Sequence, residues 1–340
     1  MTARVGLDAR LTRQMSVGMK AYTTELTSRL PVVAPDLAFT AFTEGANFGL
    51  DEQIRLPLAM RRAGVDLAHF MSLYTPVLPP RPYIVTIHDL IHLRFPEFFK
   101  SKVGPYYKTV VKFAARHAAL VLTDDPRTIG DLEEFLGVNP QKCRVIPLGV
   151  DDRFLARITP FRAAQPYFLN VGNHRAHKDL VTLFEAWASL PPELAVDLYL
   201  TGADDFGPQL SHYQTAQRQI VVLGDVPPEK LPALYAGAAA LVHPALCEGF
   251  GLPMLEAMAA RTAVVACENA IPRVLESAAL TFPARDVQAL TIRLERVLAD
   301  QGLRSALVNE GRKLAEGLTW DRCASQTAAL YREVLPRNAG

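Results

Sequence analysis

The sequence predicts an α/β protein of two successive domains, each a parallel sheet with crossover helices, and three observations carry that prediction. Short apolar runs alternate along the chain with longer amphipathic segments, the order that a parallel sheet with crossover helices requires. The series breaks once, in the proline-flanked segment from Thr159 to Pro166, and then starts again. At 340 residues and 49% hydrophobic content, the chain is long enough to bury two cores.

In the first series Val5 to Ala9 reads as a strand, Ala21 to Leu30 as a helix and Leu37 to Thr43 as a second strand. Leu67 to Phe70, Tyr83 to His88 and Leu120 to Thr123 follow as strands. The second series opens with a strand at Tyr167 to Val171 and a helix near Asp179 to Leu190. Strands at Asp197 to Thr201, Ile220 to Leu223, Ala239 to His243 and Ala263 to Ala266 continue it. The expected domains are 1–160 and 161–319, with a last helical segment at 320–340. Ligands of such sheets bind beyond the carboxyl ends of the strands, so a central cleft between two such domains is the expected seat of a nucleotide-bearing ligand.

Composition narrows the function. A formal net charge of +1 gives no basic surface for nucleic acid. Cys143, Cys247, Cys267 and Cys323 show neither CxxC spacing nor histidines at metal-ligand intervals, and read as reduced thiols of a cytoplasmic protein. The start, MTARVGLDARL, lacks a long apolar stretch, and no run of about 18 apolar residues occurs, so a soluble or peripheral protein is expected.

The most informative stretch is Leu241 to Glu256, LVHPALCEGFGLPMLE. An apolar strand ends at His243, Gly249 and Gly251 bracket Phe250, and Pro253 stands at a helix start. The free N–H groups of that start and the positive end of its dipole favour an anion, and the glycines let it approach the backbone. Glu248 lies in the turn and Glu256 in the first turn or so of the helix, so the two bracket the anion position. Carboxylates beside an anion must bind something else, and sugar hydroxyls are the natural hydrogen-bond donors. A second candidate is Val171-Gly172-Asn173-His174-Arg175-Ala176-His177-Lys178-Asp179, a basic turn between a strand and a helix. Such a turn neutralises a diphosphate leaving group as its bond breaks.

The stretch resembles the signature of the retaining glycosyltransferases of family 4, which have the GT-B fold: two glutamates eight residues apart, GFGLP between them and EAMA after. The likeness continues through VPPEKLPALYAGAAALVHP before the motif, AARTAVVACENAIPRVLESAAL after it, and VIPLGVDDRF from Val145 to Phe154. It implies that Glu248 orients donor-sugar hydroxyls and Glu256 holds the ribose. Gly251 and Leu252, with Phe250 beside them, would meet the diphosphate through the backbone, and Lys178 and Arg175 would share its charge. His88, in Thr86-Ile87-His88-Asp89-Leu90, matches the family's HDL segment, whose histidine approaches the donor sugar. Gly18 belongs to a loop like the family's glycine-rich turn after the first strand, and the last helices from about Trp320 correspond to the segment that returns to the first domain.

The resemblance implies no metal and no cofactor, the nucleotide-diphosphate sugar being a substrate. Attack on the front face, with the departing phosphate taking the acceptor's proton, retains configuration. GDP-mannose is the first-choice donor, and a glycan or lipid-linked glycan of bacterial surface polysaccharide the acceptor. Basic and aromatic residues interleave over 97–117, where peripheral contact with the inner face of the cytoplasmic membrane is expected. Three departures stand out. Gly18-Met19-Lys20-Ala21-Tyr22 replaces a common GIGRY, Arg273 stands where a glutamate is usual, and Asp124-Asp125 where a serine is. A nicotinamide dehydrogenase is disfavoured, because Asp8-Ala9-Arg10-Leu11-Thr12 after the first strand holds no GxGxxG. A non-catalytic nucleotide-sugar-binding subunit and a GT-B phosphorylase or epimerase stay open as alternatives.

Overall fold

The computed structural model describes residues 2–13, 15–98 and 103–335. They form two compact units, Met1–Gly149 with Trp320 onward, and Val150–Thr319.

The first unit holds β1 (Arg4–Asp8), β2 (Ala38–Phe42), β3 (Leu67–Phe70), β4 (Tyr83–Thr86), β5 (Leu120–Thr123) and β6 (Cys143–Val145). They make one parallel sheet in the order β2-β1-β3-β4-β5-β6. Runs such as LAHF and YIVT are buried throughout, as expected of strands covered on both faces. At the carboxyl ends of the strands Arg10 is buried. Its guanidinium takes both oxygens of Asp8, at 2.7 and 2.8 Å, and the carbonyls of Ala46 and Tyr74, each at 3.1 Å. One side chain thus ties together the loops that follow β1, β2 and β3.

The C-terminal helix Trp320–Val334 buries Trp320, Cys323, Ala324, Thr327, Ala328 and Tyr331 in this unit, against the helix Val17–Val33. Its attachment includes a buried polar chain. Tyr331 Oη lies 2.6 Å from His69 Nδ1, His69 Nε2 2.8 Å from Thr86 Oγ1, and Thr86 Oγ1 3.0 Å from Tyr22 Oη. Burial, with the nearby His88, lowers the His69 pKa to about 3, so the ring is neutral and donates from one nitrogen only.

The second unit holds β7 (Tyr167–Asn170), β8 (Asp197–Leu200), β9 (Ile220–Val222), β10 (Ala240–His243), β11 (Val264–Cys267) and β12 (Ala279–Phe282). Their order is β12-β11-β10-β7-β8-β9, again parallel. The chain builds outward from β7 through β8 to β9, then crosses to the other side of β7 for β10. The loops after β7 and β10 therefore part at a topological switch point, where sheets of this type open a crevice. The helix after β7, Leu180–Ala188, ends under the buried Arg218, which donates to the carbonyls of Trp187 at 3.1 Å and Leu190 at 3.2 Å.

Three expectations from the sequence are corrected. The second unit begins at Val150, not after residue 160. Val150 bridges to Thr319, the Phe154 ring packs edge-on to Tyr235 at 5.8 Å, and Arg312 takes the Leu155 carbonyl at 2.7 Å. Gly18 lies in the first turn of the helix Val17–Val33, not in a loop, because Ser16 caps that helix by accepting from Met19 N at 3.3 Å. The sequence reading does not include β6 and β12: β6 is three residues long with Arg144 at its centre, and in β12 only Phe282 is buried.

Removal of the Tyr331 hydroxyl leaves one buried nitrogen of His69 without a partner. Tyr331→Phe is expected to destabilise the first unit by about 1–3 kcal/mol, read by urea denaturation with hydrogen exchange followed on β1, β3 and β4.

Candidate functional site

The carboxyl ends of β7 and β10 bring together the residues singled out in the second unit. After β7 the chain makes a short 3₁₀ turn, Ala176–Lys178, closed by Asp179 in the left-handed region at φ 50°. Asp179 then accepts from Thr182 Oγ1 at 2.8 Å and fixes the start of the next helix. The Leu246 N–H donates to the His177 carbonyl at 2.9 Å, which joins this turn to the loop after β10.

Across that joint, Lys178 Nζ is ion-paired to Glu248 Oε1. His243, the last residue of β10, places Nε2 2.8 Å from the same oxygen. Burial would push the Glu248 carboxyl up, but Lys178 and His243 outweigh it and hold the group well below the usual carboxylate range. Glu248 is ionised at any working pH.

The helix that follows, Leu252–Ala259, starts from Gly251 at φ 70° with no side-chain cap. The left-handed conformation favours glycine at Gly251, and a Cβ there would also displace the flexible end of Met254, 2.2 Å away at Cε. Its start faces the loop of Glu248 with uncapped N–H groups. Pro253 is the second helical residue, and Glu256 the fifth, one residue further in than the sequence suggests. Glu256 Oε2 accepts from Tyr235 Oη at 2.9 Å. Burial raises its pKa to about 7, against the lowering effects of Tyr235 and Arg153. The far end of this helix is anchored by Arg312, which donates to the Ala259 carbonyl at 2.5 Å.

The remaining predicted residues are placed as follows. The side chain of Arg175 is exposed beside Lys178, whose N–H bonds to the Arg175 carbonyl at 2.8 Å. The Phe250 ring is buried and not offered to a ligand. The His177 ring is buried and does not extend the basic surface. In the first unit His88 follows β4, with Nδ1 2.6 Å from Asp124 Oδ2 and the Tyr22 ring edge-on at 4.8 Å. Burial alone would lower the His88 pKa, but the Asp124 carboxylate reverses this and raises it, helped by Asp89.

The stretch expected to face a membrane, 97–117, falls partly outside the described residues, at 99–102. In its described part Tyr107, Val111, Ala114 and Ala115 are buried, most of them within the core of the first unit, so that apolar face is already covered. Among the described residues no helix is long and apolar enough to cross a membrane, and no group of three or more His, Cys, Asp or Glu is arranged to hold a metal ion.

Sequence reasoning missed His243 and Tyr235 as members of the site. A histidine closing the apolar run Ala240-Leu241-Val242 was a legible signal, because a polar ring at a buried strand end needs a partner. Tyr235 lies 21 residues before Glu256 and gives no local sign.

Comparison with known proteins agrees with this geometry. Residues 165–300 match the family model for glycosyl transferases group 1, and residues 19–154 that for glycosyltransferase family 4. An O-antigen chain mannosyltransferase B of Escherichia coli is 29% identical over 73% of this chain and 70% of its own length. An MMP alpha-(1->4)-mannosyltransferase of Mycolicibacterium hassiacum is 32% identical over 67% of this chain, which spans 57% of that protein. Sucrose-phosphate synthase from Thermosynechococcus elongatus superposes with a TM-score of 0.76 at 20% identity, covering 97% of this chain and 98% of that one. The two parallel sheets, the two carboxylates around an uncapped helix start and the two family matches together place the chain in the glycosyltransferases of family 4, with the GT-B fold.

Proposed function

We propose that the protein moves a hexose, with GDP-mannose the first-choice donor, onto a glycan or lipid-linked glycan of a bacterial surface polysaccharide, with retention of configuration. The observation that carries this reading is the arrangement around the Leu252–Ala259 helix start, with Lys178 and Glu248 on one side and Glu256 one turn in. Mannose is favoured because both relatives described above bear mannosyltransferase names, one of them in O-antigen chain synthesis.

On this reading the sugar C1–O bond breaks with its electron pair passing to the diphosphate. The acceptor hydroxyl attacks from the same face, and the departing phosphate takes its proton. Lys178, Arg175 and the N–H groups of Gly251 and Leu252 meet the growing charge, each worth about 10²-fold in rate or more. Glu248 accepts from hexose hydroxyls, Glu256 from the ribose, and His88 approaches the donor sugar. No metal or cofactor takes part in this scheme.

The test is release of nucleoside diphosphate from a panel of nucleotide sugars in the presence of a lipid extract, with Glu256→Ala and Lys178→Met as controls. Release from one donor, reduced about 10²-fold or more in the variants, supports transfer. Silence across the panel, with no rise in melting temperature on adding any donor, favours a binding subunit that acts with a partner.

Glu256 makes the reaction pH-dependent. Ribose hydroxyls donate, so only the carboxylate serves. Donor affinity is expected to fall up to tenfold per pH unit below about 7, and to lose that slope in Glu256→Gln. Calorimetry from pH 5.5 to 8.5 measures it. For stability the sign is opposite. A pKa raised on folding contributes stability below the ordinary glutamate pKa, and that contribution is lost as pH climbs to about 7. Glu256→Gln is therefore expected to raise the melting temperature more at pH 8 than at pH 5.

Lipid-linked acceptors find a suitable surface on the first unit. Ile54, Leu58, Val77 and Leu78 are exposed, among exposed Arg55, Arg61, Arg62 and Arg81. Val77 N donates to Gln53 at 2.9 Å, so the two segments are neighbours. Binding to anionic but not zwitterionic vesicles at low salt is expected, lost in Leu78→Glu with Ile54→Glu; equal binding by the double variant excludes this surface.

A further inference from the structure

We propose that His243 is a positioning residue that holds Glu248 by Oε1 and leaves Oε2 as the one acceptor that reads the hydroxyls of the donor hexose. The inference rests on the reading in which Glu248 contacts those hydroxyls.

Both protein donors to Glu248 converge on a single oxygen. Lys178 Nζ and His243 Nε2 both reach Oε1, and among the described residues no donor reaches Oε2. Oε2 therefore keeps its full capacity to accept. The two donors differ in what a ligand does to them. Lys178 is a point charge on a flexible stem, and an arriving diphosphate draws it toward the phosphates. His243 cannot follow. It is 2% exposed and fixed by the sheet at the end of β10, where it pairs in register with Ala266.

The histidine's other nitrogen sharpens the assignment. Nδ1 is buried and bonds to nothing in the described structure. Glu248 is the sole hydrogen-bond partner of a polar ring that ends an otherwise apolar strand. A carboxylate only accepts, so the contact requires an N–H at Nε2, aimed at Oε1. An apolar residue would satisfy the strand equally well, so the ring's polar contribution is the hold on Glu248. With Lys178 drawn to the phosphates, that hold alone stops the carboxylate from rotating and offering either oxygen to any hydroxyl arrangement.

The test compares wild type, His243→Leu and His243→Gln on GDP-mannose, or whichever panel donor wild type binds, and on analogues lacking one ring hydroxyl at a time. Discrimination is read both as Kd by calorimetry and as kcat/KM, so binding without turnover still decides. Wild type is expected to disfavour at least one deoxy analogue by about 10- to 100-fold, the worth of a hydrogen bond to a charged group. His243→Leu should reduce that ratio about tenfold, with affinity for the bare nucleoside diphosphate unchanged within about twofold. His243→Gln, which keeps an N–H toward the carboxylate, should restore most of it. Unaltered discrimination in His243→Leu overturns this proposal and leaves the transfer reading standing. Equal losses for the bare nucleotide and the full donor also overturn it, since they mark a purely structural role. A chain that binds no nucleotide sugar overturns both readings.

Discussion

The contact on which the candidate site depends is the convergence of Lys178 and His243 on one oxygen of Glu248. It joins a turn after β7 to a loop after β10, two strands 70 residues apart in sequence that are neighbours only because the chain doubles back across β7. The hydrogen bond from Leu246 N to the His177 carbonyl fixes the spacing of the two loops. Gly251, in the left-handed conformation that favours glycine, turns the chain from Glu248 into the helix bearing Glu256. A change in the order of β7 and β10 would separate the ion pair, and a side chain at Gly251 would move the helix start.

In the first unit the equivalent constraint is polar and internal. His69 is buried with both nitrogens engaged, by Thr86 on β4 and by Tyr331 on the C-terminal helix. Net gain from such bonds is modest, but an unmet partner in that interior is expensive, so the chain specifies where the last helix seats. Tyr22, at the end of the same chain of bonds, lies against the ring of His88. The group expected to approach the donor sugar thus rests on the residues that secure the C-terminal helix.

The sequence showed the architecture wherever a strand was a continuous buried run, as in LAHF, LVLT and ALVH. It also found the partly buried edge strands β2 and β9, and passed over β6 and β12. CRV is short with a charged Arg144 at its centre, and ALTF is broken by Thr281 with only Phe282 buried, so neither stands out as a long apolar run. The motif reading singled out Glu248, Glu256 and Lys178, and the fold pairs Lys178 with Glu248 beside the start of the helix that bears Glu256. It did not find their partners, because Tyr235 and His243 act through tertiary contacts that no spacing encodes. Asp124 was visible as a departure from the usual serine. Only the fold shows that the added carboxylate is held by His88.

The two glutamates show how the same residue type acquires opposite behaviour within one site. Both are largely removed from water, which favours the neutral acid in each. Glu248 has a cation in contact and stays ionised; Glu256 has a phenol, which steadies the carboxylate without neutralising it, and titrates near 7. Divergence of this kind sorts carboxylates into roles. On the proposed reading it also governs how the free protein receives a diphosphate. Lys178 is already matched by Glu248, so the pair presents almost no net charge, and attraction at a distance falls to the exposed Arg175 and the uncapped helix start. Only at contact range can phosphate oxygens compete with Oε1 for the ammonium. If the proposal for His243 holds, the lysine then changes partner as the ligand seats, while the carboxylate it leaves stays in place through His243.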